Sequence, residues 1–338
     1  MLGQSQFKRL RRLRGHPVMR QMLRDIVLRA EDLVYPVFVR SGKKIRSAVR
    51  SMPGIFQFSP DTALEELRAL EQTGVKSFIL FGVTDARHKD AKGSAAHDTD
   101  NAVCRTLELV RKKNLELYAM TDVCLCSSTS HGHCGILSKN AREVVDNDAT
   151  IDRLGELALL HAQSGADLVA PSGMMDGAVA AIRHALDDSQ FKHVPIMSYA
   201  VKYASAFYGP FRDAADSAPG FGDRSSYQMD PRRRRESLQE AQADLDQGAD
   251  ILIVKPGLPY LDILRDLREA FAAPLAAYHV SGEYAMIKAA AREKWIDETA
   301  VVLESLVAMK RAGANLILTY FARQIAPKLQ SDSRAQSP

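Results

Sequence analysis

The sequence predicts a closed (β/α)8 barrel, a TIM barrel, preceded by an N-terminal arm that is part extended and part helical. Three observations carry this. Eight short, apolar, β-rich runs recur along the chain, at 35–39, 77–81, 117–121, 168–171, 195–199, 251–255, 275–280 and 316–320. Several are apolar throughout, as strands covered on both faces are. Amphipathic helical stretches separate most of them, as at 61–72, 101–113, 151–163 and 236–246. The third observation is a repeated phrase at the helix-to-strand joins. Gly-Ala-Asp or Gly-Ala-Asn, followed by two apolar residues, begins at Gly165, Gly248 and Gly313, and Gly74 starts a weaker copy. Glycine there ends a helix in the left-handed conformation, so one repeated join predicts one repeated βα unit. Eight units with no separate linker favour a closed barrel over an open doubly wound sheet. No Gly-x-Gly-x-x-Gly follows the first run, which argues against a dinucleotide site.

Taken in order, residues 1–32 form the expected arm, 33–330 the barrel and 331–338 a disordered tail. The arm is arginine-rich, reading Phe-Lys-Arg-Leu-Arg-Arg-Leu-Arg from Phe7. A transit peptide, a nucleic-acid arm and an arm gripping a neighbouring subunit compete for this segment. Val18, Met22, Ile26 and Val27 recur at helical spacing, which favours an apolar face seeking a subunit partner. The formal charge of +4 is mild. The four arginines at 232–235 immediately precede a helix and lack interleaved aromatics, so they read as a solvated or intersubunit face, not a nucleic-acid site. No apolar run is long enough to span a bilayer, and the N-terminus has no apolar signal region. Three of the four cysteines cluster, which fits thiol chemistry in a reducing, cytoplasmic compartment better than a disulfide framework.

Polar chemistry gathers where each run ends, the face on which barrels of this kind carry their active sites. Asp122, Cys124, Cys126 and Cys134 follow the third run, with His131 and His133 among them. Cys124 and Cys126, spaced i, i+2, face one side in extended chain, and Gly132 and Gly135 permit the turn that returns Cys134 to them. Three thiolates suit Zn²⁺ with one position left open, the catalytic and not the structural pattern. Packed, reduced thiols are the plainer alternative, and Cys104 fits it. Lys255 closes the sixth run and Lys202 follows the fifth. A lysine terminating an apolar strand loses solvation, which lowers its pKa, and a second nearby lysine lowers it further. A neutral amine can form a Schiff base with a ketone. Ion pairing is the ordinary fate of one lysine, but two at one barrel mouth favour the imine reading. The loop after Lys202 carries Arg212 and Arg224, suited to clamping a carboxylate, on glycine- and aromatic-rich chain suited to a lid. Ser281 and Glu283 follow the seventh run, and Tyr320 ends the eighth.

With these residues in view, the chain resembles the 5-aminolevulinate dehydratases, also called porphobilinogen synthases. The likeness runs from about residue 12 to 324, and its carrying stretches are 121–137, 198–213, 221–228, 253–264, 278–286 and 316–322. The resemblance implies condensation of two 5-aminolevulinate molecules to porphobilinogen, with loss of two waters, in tetrapyrrole (heme) synthesis. It implies Lys255 and Lys202 as Schiff-base lysines, Asp122 as an active-site acid, and Cys124, Cys126 and Cys134 as catalytic zinc ligands. Arg212, Arg224 and Gln228 would hold one substrate carboxylate, and Ser281 and Tyr320 the other. Glu240 falls where an allosteric Mg²⁺ binds, and assembly as a homo-octamer through the arm is implied. Two other readings stand beside it: a single-lysine class I aldolase-type barrel, and a non-catalytic zinc- or nucleic-acid-binding protein.

Overall fold

A computed structural model describes residues 8–139 and 144–334, and in it eight parallel strands close on themselves. The strands are β1 (Leu33–Arg40), β4 (Ser77–Val83), β5 (Tyr118–Val123), β6 (Leu168–Pro171), β7 (Met197–Lys202), β8 (Ile251–Lys255), β9 (Leu275–His279) and β10 (Leu316–Thr319). A small hairpin, β2 (Arg46–Ala48) and β3 (Phe56–Phe58), attaches to the end of β1. The order around the sheet is β6-β5-β4-β1-β10-β9-β8-β7. The two end strands meet through a parallel bridge between Val169 and Ile196, so the barrel is closed and the open-sheet rival is excluded.

Helices cover the outside. After α1 (Pro17–Met22) in the arm come α2 (Pro60–Glu71), α3 (Ala102–Lys112), α4 (Asn147–Gln163), α5 (Ala178–Asp188), α6 (Gly209–Ala214), α7 (Glu236–Asp246), α8 (Leu261–Ala270), α9 (Ser281–Arg292), α10 (Glu298–Ala312) and α11 (Ala322–Arg334). Helix α3 shows why they form. The Asn101 side chain accepts from the Val103 and Cys104 amides, which otherwise have no partner. Val103, Cys104, Leu107 and Val110 fall on one stripe and are buried. Arg111 and Lys112 complement the carboxyl end. Cys104 is therefore a core residue.

The repeated joins have a second function beyond the glycine turn. Gly74, Gly165, Gly248 and Gly313 have φ of +87°, +107°, +102° and +128°, as helix-ending glycines do. The polar residue two positions on then pins the neighbouring strand. Asp167 accepts from the Ala119 amide at 2.7 Å, Asp250 from Ile196 at 2.8 Å and Asn315 from Leu275 at 3.0 Å. Each side chain satisfies a backbone donor at the bottom of the barrel.

Three expectations change. In the arm only α1 is α-helical, so Ile26 and Val27 do not continue the apolar helical face expected from Val18 and Met22. A six-residue helix has few propagating hydrogen bonds, and within one chain its face is exposed. Residues 1–7 lie outside the described residues. At the other end α11 runs to Arg334, past the expected boundary at 330, and 335–338 lie outside the described residues. The arginine run is mostly paired: Arg232 with Asp230, Arg233 with Glu236 and Arg234 with Asp266.

Candidate active site

The two lysines end adjacent strands. Lys202 is the last residue of β7 and Lys255 the last of β8, and the two are register partners. Lys202 thus closes its strand and does not follow it, because β7 continues three residues beyond the apolar run read from sequence. Both are buried, 5% and 4% exposed. The Lys202 side-chain nitrogen donates to the Ser172 carbonyl. The Lys255 nitrogen lies 4.2 Å from the Tyr278 ring centre, 4.9 Å from Phe211, 5.1 Å from Tyr199 and 5.3 Å from Tyr208. Burial in this aromatic box, then the charge of Lys202, pushes its pKa well below that of an ordinary lysine. The shift favours the neutral amine, the form that attacks a carbonyl.

Asp122 lies within β5, not after it. Burial pushes its carboxyl up to about 6, against a hydrogen bond from Ser172 and the charges of Lys202 and Lys255. Beyond it the chain turns through Cys124 and Cys126 and returns at Cys134. The three sulfurs lie within 4.8 Å of one another and are buried. Hydrogen bonds from Cys124 and Cys126 hold Cys134 well below the usual thiol pKa, with Arg224 adding positive charge. The sulfurs of a tetrahedral zinc–thiolate set stand roughly 3.8 Å apart, so small closure accommodates an ion. Gly132 has φ +72°, and a Cβ there would stand 2.1 Å from the Ala218 carbonyl oxygen. Gly135 has no such φ; it is needed for room, since a Cβ would stand 2.3 Å from Thr150 Oγ1. The histidines are not in the thiol group. His133 bonds Tyr227 and the Phe221 carbonyl, and His131 the Ala91 carbonyl, so His133 ties the metal loop to the lid.

The lid residues converge from above. Arg224 is buried and donates to the carbonyls of Gly132 and Ser217, at 2.9 and 2.7 Å. Arg212 is near enough for the Arg224 charge to lower its pKa further after burial. The Arg212 Nε and both amide atoms of Gln228 are buried without partners among the described residues. Ser281 Oγ accepts from the Phe211 amide, and the Tyr320 hydroxyl is 2.9 Å from that of Tyr278. Phe38, Phe81, Phe211 and Tyr320 pack beneath, which places Tyr320 on the barrel's inner wall.

Glu240 is elsewhere. It sits on α7, outside the barrel, beside Asp176 and Asp244, and burial with those charges pushes its carboxyl up to about 7. Sequence reasoning gave no part to Ser172 or Tyr278 and saw Tyr199 only as an aromatic flanking Lys202, because aromatic residues on a strand read as packing. It saw Glu283 without a role. That buried carboxylate accepts from the Leu258 and Val280 amides, joining the turn after Lys255 to the start of α9.

Comparison with known proteins decides the family. The model of the family described as Delta-aminolevulinic acid dehydratase matches residues 7–328.

The chain belongs to the delta-aminolevulinic acid dehydratase family.

A delta-aminolevulinic acid dehydratase of Halalkalibacterium halodurans is 51% identical over 326 residues, 96% of this chain and 98% of that one. A dehydratase of Staphylococcus epidermidis is 48% identical, covering 94% of this chain and 98% of its own. Among solved structures, the delta-aminolevulinic acid dehydratase (porphobilinogen synthase) of Toxoplasma gondii ME49, in complex with the reaction product porphobilinogen, superposes with a TM-score of 0.94 at 40% identity. The match covers 98% of this chain and 94% of that one. The dehydratase barrel expected from sequence is the barrel found.

Proposed function

We propose that the chain condenses two molecules of 5-aminolevulinate to porphobilinogen, with loss of two waters, in tetrapyrrole synthesis. The observation that carries this is the pairing of two buried lysines across β7 and β8, beside three clustered thiols. Each substrate brings a ketone, an amine and a carboxylate. Two ketones call for two amines; Lys255, in its aromatic box, is the principal nucleophile and Lys202 the second. An imine draws electrons from the adjacent carbon and so permits carbon–carbon and carbon–nitrogen bond formation. Asp122, held near neutrality, accepts and returns protons between the two amines. Arg212, Arg224 and Gln228, with unspent hydrogen-bonding atoms, hold one carboxylate. Ser281 and Tyr320 hold the other.

Cys124, Cys126 and Cys134 would hold Zn²⁺; when bound, it supplies a Lewis acid at the open position. Glu240, with Asp176 and Asp244 close by, would carry an activating Mg²⁺ away from the chemistry. The exposed arm side chains Leu10, Leu13, Val18 and Met22 would seat on a neighbouring copy in an octamer. No helix among the described residues is long and apolar enough to cross a membrane, and a cytoplasmic enzyme fits the reduced thiols. A colorimetric pyrrole assay on the purified protein with 5-aminolevulinate tests the reading. Pyrrole formation that Lys255→Ala abolishes supports it; turnover of an aldol substrate but not of 5-aminolevulinate would favour the class I aldolase alternative.

A further inference from the structure

Tyr199 precedes Lys202 by three positions, so in a regular strand the two would face opposite sides. They do not. The β7–β8 register shifts between Ser198 and Val201. Ser198 points outward, bonding Asp244 on α7 at 2.5 Å. Tyr199 and Lys202 both point into the mouth. The Tyr199 ring centre lies 5.1 Å from the Lys255 nitrogen, 5.7 Å from that of Lys202 and 6.4 Å from the Tyr278 ring centre. Irregularities of this kind re-aim side chains at active sites.

The ring is 1% exposed, yet its hydroxyl finds no hydrogen-bond partner among the described residues. A buried donor left unsatisfied costs about 1–3 kcal/mol, and phenylalanine would fill the same space without that cost. Of the other phenols around the Lys255 nitrogen, Tyr278 bonds Tyr320 and Tyr208 donates to the Lys255 carbonyl. The ring beside the Lys255 nitrogen thus carries a buried O–H with no partner among the described residues.

Resting on the two-imine reading above, we propose that Tyr199 is a catalytic residue: its phenol is the proton donor that releases water as the Lys255 imine forms. The Lys255 nitrogen adds to the ketone carbon to give a carbinolamine, whose oxygen stands two bonds beyond Nζ. As the carbon–oxygen bond breaks, its electron pair stays on oxygen, which takes the Tyr199 proton and leaves as water. The nitrogen lone pair closes the C=N bond. The products are the protonated imine and a phenolate. The phenolate then removes a proton from the carbon beside the imine, whose electrons form the enamine, and the phenol is restored. Burial keeps the phenol protonated beforehand.

Tyr199→Phe removes one oxygen that bonds nothing among the described residues, so the variant folds and its Tm equals or exceeds that of the parent. The expected result is a kcat lower by about 10²–10⁴-fold, KM changed only a few-fold, and an equal fall in the rate at which borohydride traps substrate on Lys255. A kcat within twofold of the parent overturns the proposal. So does a fall in kcat with trapping unslowed, which would place the hydroxyl in a later step. If the parent itself forms neither pyrrole nor adduct, the two-imine reading fails and the proposal falls with it. An active parent beside an equally active variant removes the proposal alone.

Discussion

Lys202 and Lys255 stand opposite each other, as register partners at the carboxyl ends of neighbouring parallel strands. One amine donates to the Ser172 carbonyl, and the other faces four aromatic rings. The arrangement is unfavourable for folding, since it desolvates two amines in each other's field. It is the arrangement a two-ketone condensation needs.

Replacing Lys255 should separate stability from activity. Between the depressed folded pKa and the unfolded value of about 10.4, the unfolded chain binds a proton that the folded chain does not. Stability in the parent therefore rises with pH across that window. Lys255→Met removes the dependence, so it should raise Tm by an amount that is largest at low pH and vanishes towards pH 10. Activity should fall by about three orders of magnitude or more. Thermal melts across pH, beside the pyrrole assay, check both.

Metal removal should cost activity and stability together. An ion held by Cys124, Cys126 and Cys134 binds the folded state alone and stabilises it. Chelation should abolish pyrrole formation and lower Tm, and Zn²⁺ should restore both. Cys134→Ser should weaken zinc retention and should not be rescued by Mg²⁺, since hard cations prefer oxygen ligands. Metal analysis with the assay reads this.

Magnesium activation, if Glu240 carries it, follows that carboxyl's ionisation. With a pKa of about 7, the group is protonated below neutrality and ionised above it. Activation by Mg²⁺ should therefore be weak at pH 6, strong at pH 8, and absent in Glu240→Ala at either pH. Titrating Mg²⁺ at both pH values tests it.

Glu283→Gln should loosen the lysine turn. One of the two carboxylate oxygens becomes an NH2 group facing a backbone donor, at the Leu258 or Val280 amide. A cost of about 1–3 kcal/mol is expected in denaturant unfolding, with faster amide exchange at 256–260 and 280–284 and no change at β4.

The arm prediction is one of size. Met22 is 73% exposed and Val27 59%. On the octamer proposed above, charges there, as in Met22→Glu with Val27→Glu, should reduce the particle mass in light scattering while leaving the circular dichroism of the barrel intact. An unchanged mass would remove the arm from assembly.

Much of the architecture was legible because it repeats. The Gly-Ala-Asp joins, the apolar runs and the helical spacing all name the same unit, and the barrel follows. What these phrases did for one another was not legible: the reach of Asp167, Asp250 and Asn315 to a neighbouring strand appears only once strand order is known. At the site, cysteines and lysines stood out because such residues are costly at strand ends. Tyr199 did not, since its significance lies in a register shift that no local pattern encodes. Ile26 and Val27 misled for the converse reason: helical spacing was present, but the helix ends at Met22, with Ile26 partly buried and Val27 exposed.

The most direct test is reductive trapping. Borohydride added during turnover of 5-aminolevulinate, followed by peptide mass spectrometry, should place the substrate adduct on Lys255, with a second adduct on Lys202 at high substrate. Pyrrole formation with no adduct on either lysine, or with an adduct only on a lysine outside the barrel mouth, would contradict the account.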